Sequence, residues 1–508
     1  MVVIDGTALR CADVMAVSRR YAPVELNPDA VSRATRSWEL GKEVAARRPV
    51  YGRTTGVGSN RNVAVEDEHG ASHGLRLLRS HAGGAGPLLA DELVRAMLVV
   101  RLNQLAAGGS GVHPDVLSLL ARMLNEDALP QVHTYGGIGT GDLTALAETA
   151  LTVIGERPWG GSGDALPRFP FESADALAFI SSNAATLGEA ALAAEDLRGL
   201  ATAGLVVAAL SFEAVDGNGE AYAAAVHDAC PHPGAVAASA TMRSLLGPVV
   251  RDPARIQDPF GFRVIPQVYG PVLDSIEALD RVLTVQLSAA AENPLISLRE
   301  RDVLHHGGFH TAYVALALDA TLTSLAQSAV LVLARMASLA EPAFTGTDPY
   351  LTSGPAGSSG TMILEYTAAS ALAELRMCAS PAALGTVVLS RGLEEDASFS
   401  TQAARQATAA VRAFRVMVGC ELVMATRALR LRGVAPTSEP LSVAYERACS
   451  VLDPSTEDRD LTPDVTAAQA LLPDLAAAAG GPVIPRSERL PHQLRVAGDA
   501  STQQAEPG

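Results

Sequence analysis

The segment HTYGGIGTGDLTAL, from His133 to Leu146, places four glycines within its first nine residues and then turns into a helical pattern. Its centre, Gly139-Thr140-Gly141, permits an unusual reaction. A backbone amide can attack a carbonyl two residues back only where side chains leave the approach open, and glycines on either side of Thr140 leave it open. The same letters also read as a plain glycine turn opening a helix, with Asp142 in the first turn complementing the positive end of the helix dipole. The glycine spacing fails the dinucleotide-binding pattern, and no strand clearly precedes it.

Several other chemistries are excluded by residue type. Lys42 is the one lysine in the chain and is followed by Glu43. Neither a pyridoxal-phosphate Schiff base nor a phosphate-binding loop has a good candidate. In HHGGFH, His305, His306 and His310 are interrupted by two glycines, with no acid or cysteine at ligand spacing, so no metal is expected. The formal charge of −16 argues against nucleic acid or an anionic membrane as partner and points to a small substrate. Five scattered cysteines without a C-x-x-C pair, and an opening stretch without signal-peptide character, read as a cytoplasmic chain with reduced thiols.

These residues need a scaffold, and the pattern supplies one that is mainly α. Residues 1–173 read as an N-terminal part mixing short extended pieces (1–5, 49–51) with helices at 30–47 and 68–79, interrupted by four glycine-rich loops that bring backbone close to a site. Residues 174–485 read as a central and C-terminal helical bundle, including one long helix over 177–214 and another over 310–340. These are apolar almost all round, as in helices buried within a large assembly. The most apolar run, Gly204 to Phe212, is too short to span a membrane. Residues 486–508 read as a flexible tail.

Ten segments in order carry a resemblance: PVYGRTTGVG, LLRSHAGGAGPL, IGTGDLTALAE, HDACPHPGAVAASATMRSLL, IQDPFGFRVIPQVYG, AENPLI, HHGGFH, GSSGTMI, LEEDASFS and EDRDLTPDV. Together they resemble the histidine and phenylalanine ammonia-lyases from near the N-terminus to about residue 475. That resemblance implies a mainly α lyase assembled as a homotetramer whose sites draw on several subunits. It also implies an electrophile, a methylidene-imidazolone, made autocatalytically from an Ala-Ser-Gly triplet that aligns with Gly139-Thr140-Gly141. Losing a methyl at 139 leaves cyclisation possible. Dehydrating Thr140 would put an extra methyl on the exocyclic carbon and crowd the bond-forming position.

By the same resemblance Tyr51 stands for the base that removes the substrate β-proton, if neighbours lower its pKa. Arg263 matches the arginine that grips the substrate carboxylate in a bidentate fork. Glu395 falls near the electrophile and amine, and Gln257 and Phe309 match further site positions. His81 suggests a histidine-like pocket. Three polar positions of the family are replaced: an asparagine by Ser181, a tyrosine by Phe260, and an asparagine by Gly308. The readings that follow are an aromatic amino acid ammonia-lyase or aminomutase-like enzyme, a same-fold enzyme without the prosthetic group performing another elimination, addition or cyclisation, and a catalytically degenerate binding homologue.

Overall fold

The computed structural model describes residues 1–65, 70–247 and 254–478, with side chains from residue 73 in the helix that opens at Gly70. The proposed flexible tail at 486–508 lies outside the described residues, as do the last residues of the predicted bundle.

The protein is 61% helical, which bears out the mainly α expectation. Its strands form four two-stranded sheets among the described residues. The glycine loop and the bundle that carries it are built from α1 (Gly70–His81), β1 (Ala85–Leu88), α2 (Asp91–Ala106), β2 (His133–Tyr135), α3 (Leu143–Val153), α4 (Asp175–Ile180), α5 (Ala184–Ala214), α7 (Ile265–Gln286), α8 (Ala312–Ala340) and α9 (Ser400–Arg432), with α6 (Phe260–Arg263) packed at a distance from the loop. Helix α5 sits at the centre. Alanine, leucine and valine occupy nearly every face of it, and almost its whole length is buried against α2, α7 and α9. Small alanine side chains let these axes approach closely, so burial of many modest apolar surfaces supplies the core.

Three sequence expectations are corrected. A strand does precede the glycine loop: β2 pairs antiparallel with β1, Leu88 opposite His133 and Ala85 opposite Tyr135. Residues 49–51 enter a turn rather than a strand. The helix expected over 177–214 breaks at 181–183, because that segment's polar groups are used elsewhere. The Ser182 carbonyl accepts the Asp142 N–H at 2.6 Å, the Ser182 hydroxyl donates to Gln104 at 2.6 Å, and the Asn183 amide donates to the Phe309 carbonyl at 2.7 Å.

By length and composition alone, the helical stretch 175–214, which contains the apolar run Gly204–Phe212, and α8 are each long and apolar enough to cross a membrane. The first is 89% buried over its most apolar window, which identifies it as a core helix. Helix α8 is half buried and exposes Tyr313, Leu316 and Val330.

Candidate active site

The glycine loop lies where four helices begin. Helix α3 starts directly after it at Leu143, α5 at Ala184, α8 at Ala312 and α9 at Ser400. Hydrogen bonds bring the last three starts to the loop: Asp142 reaches Thr186, while Thr311 and Ser398 reach Gly139. Unpaired N–H groups and aligned peptide dipoles make each start electropositive, so the fold gathers positive potential around Gly139-Thr140-Gly141. An electron-rich group is favoured there.

Gly139 has φ +86° and Gly141 φ +138°, backbone that residues with a Cβ rarely adopt. The Gly139 carbonyl accepts the Thr311 hydroxyl at 2.8 Å, the Ser398 hydroxyl at 3.0 Å and, at a longer 3.4 Å, the Thr311 N–H. Among the described residues the Gly141 N–H donates to no group. A polarised carbonyl two residues before an unengaged amide fits the imidazolone ring, as do two glycines in unusual backbone. Gly139 and Gly141 would form that ring, and Thr140 would carry its exocyclic carbon.

Asp142 stands at the N-cap position of α3 without a side-chain bond to that helix; its carboxylate accepts the Thr186 N–H and hydroxyl at 2.7 and 2.9 Å and so caps α5. Burial pushes its pKa up to about 6, against the lowering effect of the Thr186 bonds. The folded protein therefore holds this proton between about pH 4 and 6 where the unfolded chain has released it. The stabilisation is full below about pH 4 and is lost as pH rises through 6. Asp142→Asn is expected to cost up to about 3 kcal/mol more at pH 4 than at pH 7. Urea unfolding of both proteins at the two pH values measures this, and equal costs would refute it.

Tyr51 is half-buried in the turn after Val50. Its hydroxyl accepts the Gly58 N–H at 2.7 Å, and its own N–H donates to His305 at 3.2 Å. Burial raises the phenol pKa; the Gly58 bond opposes this, and the charge of Glu394 adds to it. The expectation that neighbours lower the pKa is thus corrected within one chain, because burial wins. A continuous set of contacts joins this turn to the loop. The Nε2–H of the His306 ring donates to the Glu292 carbonyl at 2.8 Å, and its backbone N–H donates to Asn293 at 3.0 Å. The Asn293 N–H donates to Ser181 at 3.2 Å, and Ser181 adjoins Ser182, whose carbonyl holds Asp142.

Phe309 and Gly308 lie in the same neighbourhood, Phe309 tied to Asn183 through its carbonyl. Asn183 leaves its side-chain oxygen buried without a partner, a polar atom that sequence reading missed in favour of Ser181. Glu395 is exposed on the segment beside it, flanked by Asp396, which pairs with His310 at 3.3 Å, and by Ser398, which holds Gly139. His81 ends α1, just before β1. Its Nδ1 bonds the Leu77 carbonyl at 2.8 Å, which assigns the proton to Nδ1 because a carbonyl only accepts. Lys42 is elsewhere, paired with Glu172 at 2.9 Å and resting on the Trp38 ring.

Arg263, Phe260 and Gln257 are not brought to this loop within one chain. Helix α6 packs on the far half of α8, where Arg335 donates to the Gly261 carbonyl at 3.2 Å. Along α8, at ~1.5 Å per residue, Arg335 is about 36 Å from Thr311. There the Arg263 guanidinium stacks over the Phe260 ring at 4.6 Å with its Nε buried and unpaired, while Phe260 and Gln257 are exposed.

A glycine loop ringed by helix starts, beside a phenol and a carboxylate-rich segment on an α-helical bundle, defines a lyase-type site built on backbone electrostatics. Comparison with known proteins gives the family. The chain matches the aromatic amino acid lyases over residues 9–450. It is 32% identical over 484 residues to a probable histidine ammonia-lyase of Thermoplasma acidophilum, covering 92% of this chain and 97% of that one. The fold superposes on tyrosine aminomutase of Streptomyces globisporus with a TM-score of 0.88 at 27% identity, covering 94% and 98% of the two chains. It also superposes on ergothionase of Treponema denticola, with a TM-score of 0.86 at 25% identity over 93% and 99%.

The chain belongs to the aromatic amino acid lyase family. It is a carbon–nitrogen lyase of the ammonia-lyase or aminomutase type.

Proposed function

We propose that the protein eliminates the amine from an α-amino acid with a histidine-like side chain, using an imidazolone formed from Gly139, Thr140 and Gly141. The observation that carries this reading is the Gly139 carbonyl, held by hydroxyl donors in front of an unengaged amide. When present, the group supplies an electrophile that withdraws electrons from the substrate. Everything else falls to the chain's own side chains.

Tyr51 takes the β-proton at its phenolic oxygen. His81, with its proton fixed on Nδ1, offers Nε2 to the substrate ring. Glu395 assists at the amine. Asn183, with an unpaired side-chain oxygen, supplies a polar contact that the serine at 181 does not. The substrate carboxylate is gripped by Arg263 of a second copy, because α6 lies far from the loop of its own chain. The exposed apolar residues of α8 (Tyr313, Leu316, Val330) support burial of that helix in a homotetramer. The arginine brought in by assembly also offsets the burial that raises the Tyr51 pKa. The free thiols, all five unpaired, support a cytoplasmic setting.

Mass spectrometry of the arginine-bounded peptide from Met123 to Arg168 tests the reading. A deficit of two waters is expected, together with ammonia release from histidine. An unmodified peptide would leave the alternative of a same-fold enzyme in which Thr140 keeps its hydroxyl. No turnover of any amino acid would leave a binding homologue.

A further inference from the structure

The hydroxyls around Gly139 form two chains that end on one carbonyl. The Ser400 hydroxyl lies 2.7 Å from that of Thr311, which donates to the Gly139 oxygen. The Ser400 N–H donates to the Ser398 hydroxyl at 3.3 Å, which donates to the same oxygen. Each donor is polarised by the one behind it. The set lies between two helix starts, Thr311 being the N-cap of α8 and Ser400 the first residue of α9, so both helix dipoles add positive potential.

The set is held at a cost. Phe399, between the two serines, has φ +53°, a left-handed conformation that is strained for an aromatic residue. Its N–H donates to the Ile138 carbonyl at 2.9 Å, which fixes the turn against the glycine loop. The cluster also accounts for the glycine at 139. A Cβ there would lie 2.0 Å from the Ser398 oxygen and 2.6 Å from the Ser400 oxygen. The hydroxyls occupy the space that an alanine methyl would need.

We propose that Thr311 and Ser398 are the oxyanion hole of the chain's own ring closure, a catalytic role in maturation rather than in turnover. The proposal rests on the imidazolone reading above. The Gly141 nitrogen forms a bond to the Gly139 carbonyl carbon, and the carbonyl electron pair moves onto the oxygen, where the two hydroxyls and the Thr311 N–H receive the developing charge. That oxygen then leaves as water with the protons of the Gly141 and Thr140 nitrogens. A second water takes the Thr140 hydroxyl and its Cα proton. No oxidant is consumed.

The test follows the mass of the Met123–Arg168 peptide with time after synthesis, in the full-length wild type and in Thr311→Val, Ser398→Ala, the double variant and Thr311→Ser. Loss of both waters is expected about 10²-fold more slowly in each single non-donor variant and to be undetectable in the double variant. Thr311→Ser, which restores a donor, is expected to mature at the wild-type rate, and thermal melting monitors folding of all four variants. A wild type that loses both waters while Thr311→Val and Ser398→Ala lose them equally fast overturns the proposal alone. A folded Thr311→Ser that matures as slowly as Thr311→Val overturns it too, since bulk rather than the donor would then matter. A wild type that stays unmodified overturns the imidazolone reading and this proposal with it.

Discussion

Tyr51→Phe is expected to lower kcat/KM by about 10²- to 10⁴-fold, the range a positioned general base supplies. The substitution removes one oxygen and leaves the ring packed. The Gly58 N–H loses its acceptor, a loss of about 1 kcal/mol that leaves the fold intact. The same variant should lose the rise of rate with pH that marks ionisation of the phenol. Burial raises this pKa in one chain and the arginine of a second copy opposes it, so the wild-type rate should climb with pH at a point set by the balance of the two, and the climb should be absent in Tyr51→Phe. Mass spectrometry of Tyr51→Phe should show the loop unchanged from wild type, since the hydroxyl it removes bonds Gly58 while the Gly139 carbonyl is held by Thr311 and Ser398. Steady-state kinetics from pH 6 to 10 measures the effect, and a rate within threefold of wild type would refute the role.

Motif order and helical pattern carried most of the fold. Apolar residues on all faces of 184–214 required burial on all faces, and α5 is buried so. The break at 181–183 was not legible. Each of those residues can continue a helix, and only the positions of Asp142, Gln104 and Phe309 give their polar groups better partners. At the site, Tyr51 and the glycine loop stood out because glycine-rich backbone is conspicuous. Thr311, Ser398 and Ser400 did not, because serine and threonine are ordinary anywhere, and their role arises from three segments distant in sequence meeting at one carbonyl. Arg263 was legible as a residue type but not as a location. Its distance from the loop follows from the length and direction of α8.

The largest effect on stability is expected at that far end. Arg335 on α8 is fully buried and forks onto Glu421 of α9, Nε to one carboxylate oxygen at 2.6 Å and a terminal nitrogen to the other at 2.8 Å. Ser211 of α5 donates to the same carboxylate at 2.7 Å, and the remaining arm of Arg335 reaches the Gly261 carbonyl. Burial works against the Arg335 charge, but Glu421 outweighs it and raises the pKa. Glu421→Leu strands that guanidinium and is expected to cost about 3–5 kcal/mol. Arg335→Met added to Glu421→Leu should recover part of the loss, because a paired charge and a well-packed apolar pair are close in free energy once both ions are gone. Recovery should stop about 1–3 kcal/mol short, since Gly261 then has a buried carbonyl without this donor. That shortfall bears on function, because Gly261 belongs to α6, which carries Arg263. Denaturant unfolding of the two single variants and the double variant reads the cycle, and additive losses would show that Arg335 and Glu421 do not act as a pair. The double variant should then show a raised KM with kcat nearly kept, as expected when a carboxylate grip loosens while the chemistry at the loop is left in place.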